Sequence, residues 1–529
     1  MTKGVIAAGD RETAAAGAEI LRRGGNAIDA AVAAAFVSFI AEAGVVHLGG
    51  SGIAQICDTR AGRSTVYDFF SVVPGLGGSP GPLDFEEVVI DFGAATQRFY
   101  LGRGSVAVPG NIAGLCRIAT DHGRLPLAVL LEPALHLARN GVTLAPFQAD
   151  TCHLLAPLYT HTDGIRAIFA PGGRVIEAEE RLFIPDLAET LTALAREGEA
   201  YARTGRLGQA LLADQAANGG LLTATDLARY EVLQPDPVRV AYRDYEVLVP
   251  PLCSAGGVLT AFTLKLMSAF DVATLPHGSA AHLRLLAEAM AATTRARVEW
   301  EAMLDAEPED VATARFLADS FTGRYVADIR DVLAGNEPSL IVAETPGPSH
   351  TSHLSVIDAD GLAIGLTTTA GESAGYVVPG TGYIPNNMLG EEDLHPKGFH
   401  SRPAGQRIPT MMTPTVVLQN GRPRLVIGSG GSIRIRSAIL QTLSNTLDYR
   451  LPLADAVNRA RVHLDGEVLH CEAGYDARAV DELESMGYRV NRWPTRSIYF
   501  GGAHSVGREP GGRLLAAGDD RRGGATAEV

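Results

Sequence analysis

Cysteine is scarce in this 529-residue chain: Cys57, Cys116, Cys152, Cys253 and Cys471 are odd in number and widely scattered. No two form a CxxC pair, which argues against a disulfide framework or a zinc ribbon and leaves buried structural thiols as the expectation. Basic residues are in deficit, 45 against 60 acidic, for a net charge of −15. Nucleic acid and anionic membranes both call for a basic surface, and no lysine or arginine run supplies one, so neither is an expected partner. Long apolar runs are missing too. The most apolar stretch, Ala30 to Ala41, is too short to span a bilayer and is flanked by Asp29 and Glu42, so it reads as a buried helix. The N-terminal residues lack the continuous apolar segment of a secretory signal, and the expectation is a cytoplasmic protein.

What is present suits a soluble globular chain with a large core, 46% hydrophobic and 20% charged. Helical patterns run over Thr13 to Arg23 and Ala27 to Ala41, split by Gly24-Gly25-Asn26, and again over Leu125 to Asn140, Leu187 to Glu197 and Ala280 to Ala302. A further helix is expected near Ser437 to Asp448. Strand patterns occur at Ile53 to Cys57, Tyr242 to Val249, Thr415 to Gln419 and Arg424 to Ile427. The one boundary signal is the Pro-, Gly- and Ser-rich stretch from Gly335 to His350. It suits an interdomain linker or a discontinuous single domain equally.

Several motifs carry little chemistry by themselves. The glycine clusters 49-GGSG-52 and 428-GSGGS-432 do not complete GxGxxG, because Gln55 and Ile433 stand at the last glycine position. They suit close backbone packing, or a nest of N–H groups able to hold an oxyanion. The pairs His350/His353 and His395/His400 lack the third ligand a metal site requires, so no metal or other cofactor is expected. The GxSxG pattern at 77-GGSPG-81 is followed by Pro82, which denies the serine the helix a nucleophile elbow needs. The acidic run Glu391, Glu392, Asp393 reads by itself as solvated surface.

Thr351 is different. The loop preceding it gives way at once to an alternating strand, Asp358-Ala-Asp-Gly361 is turn chemistry, and Leu362 to Thr369 reads as the returning strand. A hairpin centred on that turn pairs residues whose numbers sum to about 720, which sets Thr369 opposite Thr351 within one residue. A threonine hydroxyl is a weak nucleophile without an adjoining base. An N-terminal threonine carries one, its α-amine with a pKa of about 8, and cutting the His350–Thr351 bond would create it. As pattern alone, Thr351 is equally an ordinary β-branched strand residue.

The stretch Thr351 to Thr369 resembles the start of the small subunit in the γ-glutamyltranspeptidase (γ-glutamyltransferase) family of N-terminal nucleophile (Ntn) hydrolases. Further matches follow in family order: RRGGNAIDAAVAAA (22–35), HLGGSGIA (47–54), NGGLLTATDLARYEV (218–232), VPGTGYIPNNMLGEEDL (378–394), GSGGSIRI (428–435) and AAGDDRRGGA (516–525). The resemblance implies a four-layer αββα sandwich built jointly by a large segment, 1–350, and a small one, 351–529, that stay associated after self-cleavage between His350 and Thr351. It implies Thr351 as nucleophile and Thr369 as a hydroxyl bonded to it that helps processing. It implies Gly430 and Gly431 as oxyanion donors, with a shift to Gly431 and Ser432 left open because GSGGSI stands where the family has GSPGGS. Asn386 and Asn387 match an asparagine pair lining the pocket, and Glu391 matches a carboxylate that grips the substrate's α-ammonium.

The departures fall on the α-carboxylate clamp. Phe70 stands where the family has an arginine, Thr410 and Met411 replace two serines, and Ala370-Gly371 fills a stretch that elsewhere holds an asparagine. Loss of a bidentate arginine partner costs roughly 3–5 kcal/mol, several hundredfold or more in affinity. The expectation is therefore acyl transfer or hydrolysis through an acyl-Thr351 ester, without cofactor or metal. The small-molecule substrate is expected to be an amino or imino acid rather than glutathione. Other readings stay open: a C–C bond hydrolase like members acting in 4-alkylproline-type secondary metabolism, a conventional glutathione hydrolase or transpeptidase, and a non-catalytic scaffold. A homo-oligomer is compatible with all of them.

Overall fold

The computed structural model describes residues 3–78, 81–91, 96–335, 337–339, 350–395 and 397–529. Ser79 and Pro80 of the GxSxG stretch, and most of the segment before His350, lie outside them. Two six-stranded antiparallel sheets form the centre. In order, the first holds Ala525–Glu528, Gly4–Ala8, Ser352–Asp358, Leu362–Thr369, Ser51–Asp58 and Arg63–Phe69. The second holds Leu514–Ala517, Ser505–Arg508, Arg422–Ile427, Thr415–Gln419, Tyr245–Val249 and Val238–Tyr242. Both sheets take strands from each side of His350, so the two segments are woven into one unit.

Between the sheets lies a small apolar layer that includes Val5, Ile357, Ala363, Val416 and Val426. Helices Arg11–Arg22 and Ala27–Ala41 pack on the outer face of the first sheet. Helices Ala255–Ser268 and Arg434–Leu447 belong to the core outside the second, with Ala280–Ala306 beyond. The order helix, sheet, sheet, helix is the expected αββα sandwich. All fifteen residues of Ala27–Ala41 are buried, which explains a composition apolar on every face. Its start is fixed by a capping box: Asn26 accepts from the N–H groups of Ile28 and Asp29, and Asp29 accepts from that of Asn26.

Two sequence expectations need correction. The strand expected over Tyr242 to Val249 is a hairpin, Val238–Tyr242 and Tyr245–Val249, because Arg243 turns the chain at φ 55° and its guanidinium locks onto Asp448 at 2.7 Å. The helix expected over Leu125 to Asn140 is two, Leu127–Leu130 and Glu132–Asn140, because Pro133 can only open a new helix.

The nucleophile hairpin is central. Ser352–Asp358 pairs with Leu362–Thr369 in the expected register, Ser352 facing Thr368 and Ile357 facing Ala363. Thr369 is held on its other side opposite Ser51. Strands on both flanks leave this hairpin no free edge, which fixes the position of its open end.

Candidate active site

At that open end Thr351 and Thr369 share the wall of one cavity of about 1470 Å³. Both threonines are buried. The structure follows the chain through His350–Thr351 and shows the bond gripped on each side. Thr369 Oγ1 donates to the His350 carbonyl oxygen at 2.8 Å and accepts from the Gly371 N–H at 3.1 Å. In the continuous chain the Thr369 hydroxyl thus engages the carbonyl of the residue before Thr351. On the far side Arg522 donates to the Thr351 carbonyl at 3.3 Å. Burial, then the nearby charge of Arg434, brings the Arg522 guanidinium down to about 10.

Arg522 is aimed by a buried charge network. Arg461 meets Asp519 at 2.6 Å, and Arg521 meets Asp519 at 3.0 Å and also pairs with Glu472. The carboxylates accept backbone N–H groups as well, Ala503 on Asp519 and Arg461 on Glu472. Burial opposes ionisation of Asp519, but the two arginines win and hold its carboxyl well below the usual range.

The glycine turn lies across from Thr351. Any side chain at Gly430 would run into the Thr351 carbonyl, with a Cβ only 2.1 Å from its oxygen. Gly431 and Ser432 both take positive φ, 119° and 51°, and lead into the helix Arg434–Leu447. Ser432 lines the cavity. The fourteen-residue helix presents its positive end here, with the Arg434 N–H turned back onto the Gly431 carbonyl at 3.0 Å and the Ile435 N–H onto that of Ser432 at 3.1 Å, a setting that favours negative charge.

Phe70, Glu391, Thr410 and Met411 also line the cavity, and Glu391 packs against Gly371 beside Thr369. Phe70 is fixed by its backbone: its N–H donates to Asp68 at 2.9 Å, and its carbonyl accepts from the Tyr230 hydroxyl at 3.0 Å. Thr410 Oγ1 accepts from the Met412 N–H at 3.2 Å. The cation Arg407 also lines the cavity and pairs with the buried Asp68 at 3.3 Å. Glu391 is buried and reaches the cavity as expected.

Asn386 and Asn387 are placed differently from expectation: neither lines the cavity. Asn386 accepts from Ala107 N–H and donates to the carbonyls of Gly49 and Ala107, while Asn387 accepts from the N–H groups of Glu372 and Ser373. They bracket loop backbone behind the wall, where an amide's paired donor and acceptor suit peptide groups. The histidines are likewise committed. His353 hydrogen-bonds Thr367 and Ser355, each at 2.8 Å, His395 the Met388 carbonyl and His400 that of Gly104. Among the described residues no three His, Cys, Asp or Glu converge as a metal site.

Sequence reasoning missed two carboxylates. Glu372 accepts both the His350 N–H at 2.9 Å and the His350 ring nitrogen Nδ1 at 2.5 Å. Glu42 accepts from Ser352 Oγ at 2.6 Å and Thr13 Oγ1 at 2.7 Å. Burial and the nearby Asp10 push the Glu42 carboxyl up to about 7, and burial pushes Asp10 to about 6. Glu42 was visible only as a charge flanking a helix. Arg522 is one residue of AAGDDRRGGA with no local feature to single it out, and nothing local marks Glu372.

Residues 13–529 match the family model described as Gamma-glutamyltranspeptidase. The chain is 33% identical over 527 residues to the acylase ACY 1 proenzyme of Pseudomonas sp. (strain V22), covering 98% of this chain and 92% of that one. It is 28% identical over 538 residues to the glutathione hydrolase proenzyme of Escherichia coli (strain K12), covering 98% and 90%. The crystal structure of cephalosporin acylase from Bacillus halodurans has the same fold, with a TM-score of 0.83 at 24% identity, covering 99% of this chain and 96% of that one. With sequence and fold in agreement along nearly the whole length, this enzyme belongs to the gamma-glutamyltranspeptidase family of hydrolases and transferases.

Proposed function

We propose that the protein is a self-processing acylase that cuts its own His350–Thr351 bond and then works through an ester on Thr351, on a small amino- or imino-acid-like acyl donor rather than glutathione. The observation that carries this reading is the cavity: Thr351 and Thr369 share it with Phe70, Thr410 and Met411, where a glutamyl α-carboxylate would need charge or hydroxyl pairs. The freed Thr351 amine takes the proton of its own hydroxyl, directly or through water. Oγ attacks the substrate carbonyl, and the N–H groups of the turn at Gly430–Ser432 hold the developing negative charge. Water or an acceptor amine then takes the acyl group.

Glu391 would receive the donor's ammonium, while Phe70 and Met411 would pack on an apolar substituent. A cavity of about 1470 Å³ exceeds the needs of a small acyl group, so the larger share is left for the leaving half of the substrate. That some relatives are named acylases, and that they and the glutathione hydrolases are named proenzymes, supports the reading. Denaturing gels and N-terminal sequencing test the first step: a smaller fragment beginning Thr-Ser-His-Leu is expected, and Thr351→Ala should stay whole. Acyl-Thr351 ester trapped from a panel of amides and of ketones with a cleavable C–C bond, read by mass spectrometry, tests the second. A preference for γ-glutamyl amides would overturn the substrate assignment, and an ester formed with loss of a carbon fragment would replace the amide by a C–C bond.

A further inference from the structure

We infer that Glu372 positions the His350–Thr351 bond for self-cleavage by holding the residue on its amino side through the backbone N–H and the imidazole together. This rests on the self-processing reading above. A single four-residue stretch, Thr369 to Glu372, takes hold of three polar groups of His350: its N–H, its carbonyl and its Nδ1. The carboxylate accepts the N–H at 2.9 Å and meets Nδ1 at 2.5 Å, while Thr369 Oγ1 donates to the carbonyl at 2.8 Å. The stretch follows directly on the strand that pairs with Ser352–Asp358, so the grip and Thr351 stand at the same end of that hairpin.

Glu372 is itself immobilised. Its N–H donates to Asn387 Oδ1 at 2.7 Å and its carbonyl accepts from the Tyr159 hydroxyl at 3.3 Å. Both side chains of the pair are buried, at 2% and 0% exposure. Burial, followed by the positive charges of Arg522 and Arg434, brings the imidazole down to about 3. A buried carboxylate is costly where structure alone is served, since apolar residues of similar volume do as well or better. This one is directed at the residue that cleavage turns into a chain end.

The chemistry explains what the grip is for. Thr351 Oγ adds to the His350 carbonyl carbon, the C–N bond breaks, and the Oγ proton ends on the Thr351 nitrogen, leaving His350 as an ester on Thr351. Water then adds to the ester carbon and the C–O bond breaks. This restores the Thr351 hydroxyl, gives His350 a carboxylate, and passes the released proton to the new amine. The first step requires the carbonyl face to meet Oγ, and loosening the acyl side by about 1 Å costs up to roughly a hundredfold. Thr369 polarises the carbonyl; Glu372 sets its plane.

The test follows loss of full-length protein over time on denaturing gels, for the unmodified chain, Glu372→Gln, His350→Gln and the double variant. Thermal midpoints are measured for the same substitutions in a Thr351→Ala background, where cleavage cannot intervene. Glu372→Gln should slow cleavage between about tenfold and a hundredfold. His350→Gln should slow it less, because the N–H contact survives, and the double variant should be no slower than Glu372→Gln alone. An unmodified chain that never splits would overturn the self-processing reading and this inference with it. An unmodified chain that splits while Glu372→Gln splits equally fast would overturn this inference alone. So would multiplicative effects in the double variant, or slowing that merely tracks the loss of thermal midpoint. Should Glu372→Gln yield no folded protein, His350→Gln decides: cleavage at the unmodified rate overturns the proposal.

Discussion

The two walls of the cavity around Thr351 are built on opposite principles. One is made of backbone: a hairpin with strands on both flanks, a glycine turn pressed against the Thr351 carbonyl, and the start of a long helix. The other is made of side chains borne on connecting segments, Phe70, Glu391, Thr410 and Met411. Backbone geometry tolerates little change, because a side chain at Gly430 would collide with the reacting strand. Loop side chains can be exchanged without moving the nucleophile. Chemistry and substrate choice are thus separable here, and the family likeness speaks far more firmly to the first.

The largest effect should come from breaking the backbone wall's one reactive group: Thr351→Ala should abolish both fragment formation on gels and turnover of any substrate. Next, giving the side-chain wall a charge should sharpen the contrast. Phe70→Arg with Met411→Ser should raise kcat/KM on a γ-glutamyl anilide by on the order of a hundredfold, reduced by packing strain of about 1–3 kcal/mol. An unmodified enzyme already efficient on that anilide would show that the missing clamp does not matter. Smaller still, Glu391→Gln should raise KM for an ammonium-bearing substrate about ten- to a hundredfold while self-cleavage proceeds, since the uncut chain presents no ammonium for it to receive.

The smallest effect concerns the underside of the nucleophile strand. Glu42, in contact with Ser352, holds its proton up to about pH 7 in the folded protein and only to about 4.5 unfolded. The folded state therefore binds more protons between those values, and this group's contribution falls as pH rises through them. Buried histidines work the other way. His350 and His282, both lowered to about 3, add stability as pH climbs from there towards 6.5. The contribution of Glu42 is thus read as a difference: the thermal midpoint of the unmodified protein minus that of Glu42→Gln should shrink between pH 4.5 and 7, by on the order of 1–3 °C. A constant difference would place the retained proton elsewhere.

Much of this was legible in the sequence where the signals are local. Asp358-Ala-Asp-Gly361 and the alternation on either side gave the hairpin and its register, and the apolar run after Asn26 gave a fully buried helix. What escaped depends on partners far apart in the chain. Glu372 finds His350 at a separation of 22 residues and Glu42 finds Ser352 at 310, and no periodicity encodes either meeting. Asn386 and Asn387 show the reverse failure. Their family match suggested a pocket lining, yet amides so placed serve peptide groups from Gly49 and Ala107 on one side and Glu372 on the other.

The contact from Arg522 to the Thr351 carbonyl spans 171 residues of chain. During synthesis Thr351 and Thr369 emerge long before Arg522, and the network of Arg461, Glu472, Asp519 and Arg521 that aims it is unfinished until the same moment. A growing polypeptide would then hold the His350–Thr351 bond without the full set of groups that surround it. Seen in time rather than in space, the turn at Asp519–Arg522 withholds its grip until synthesis has passed the last residue that the sandwich needs at its reactive end.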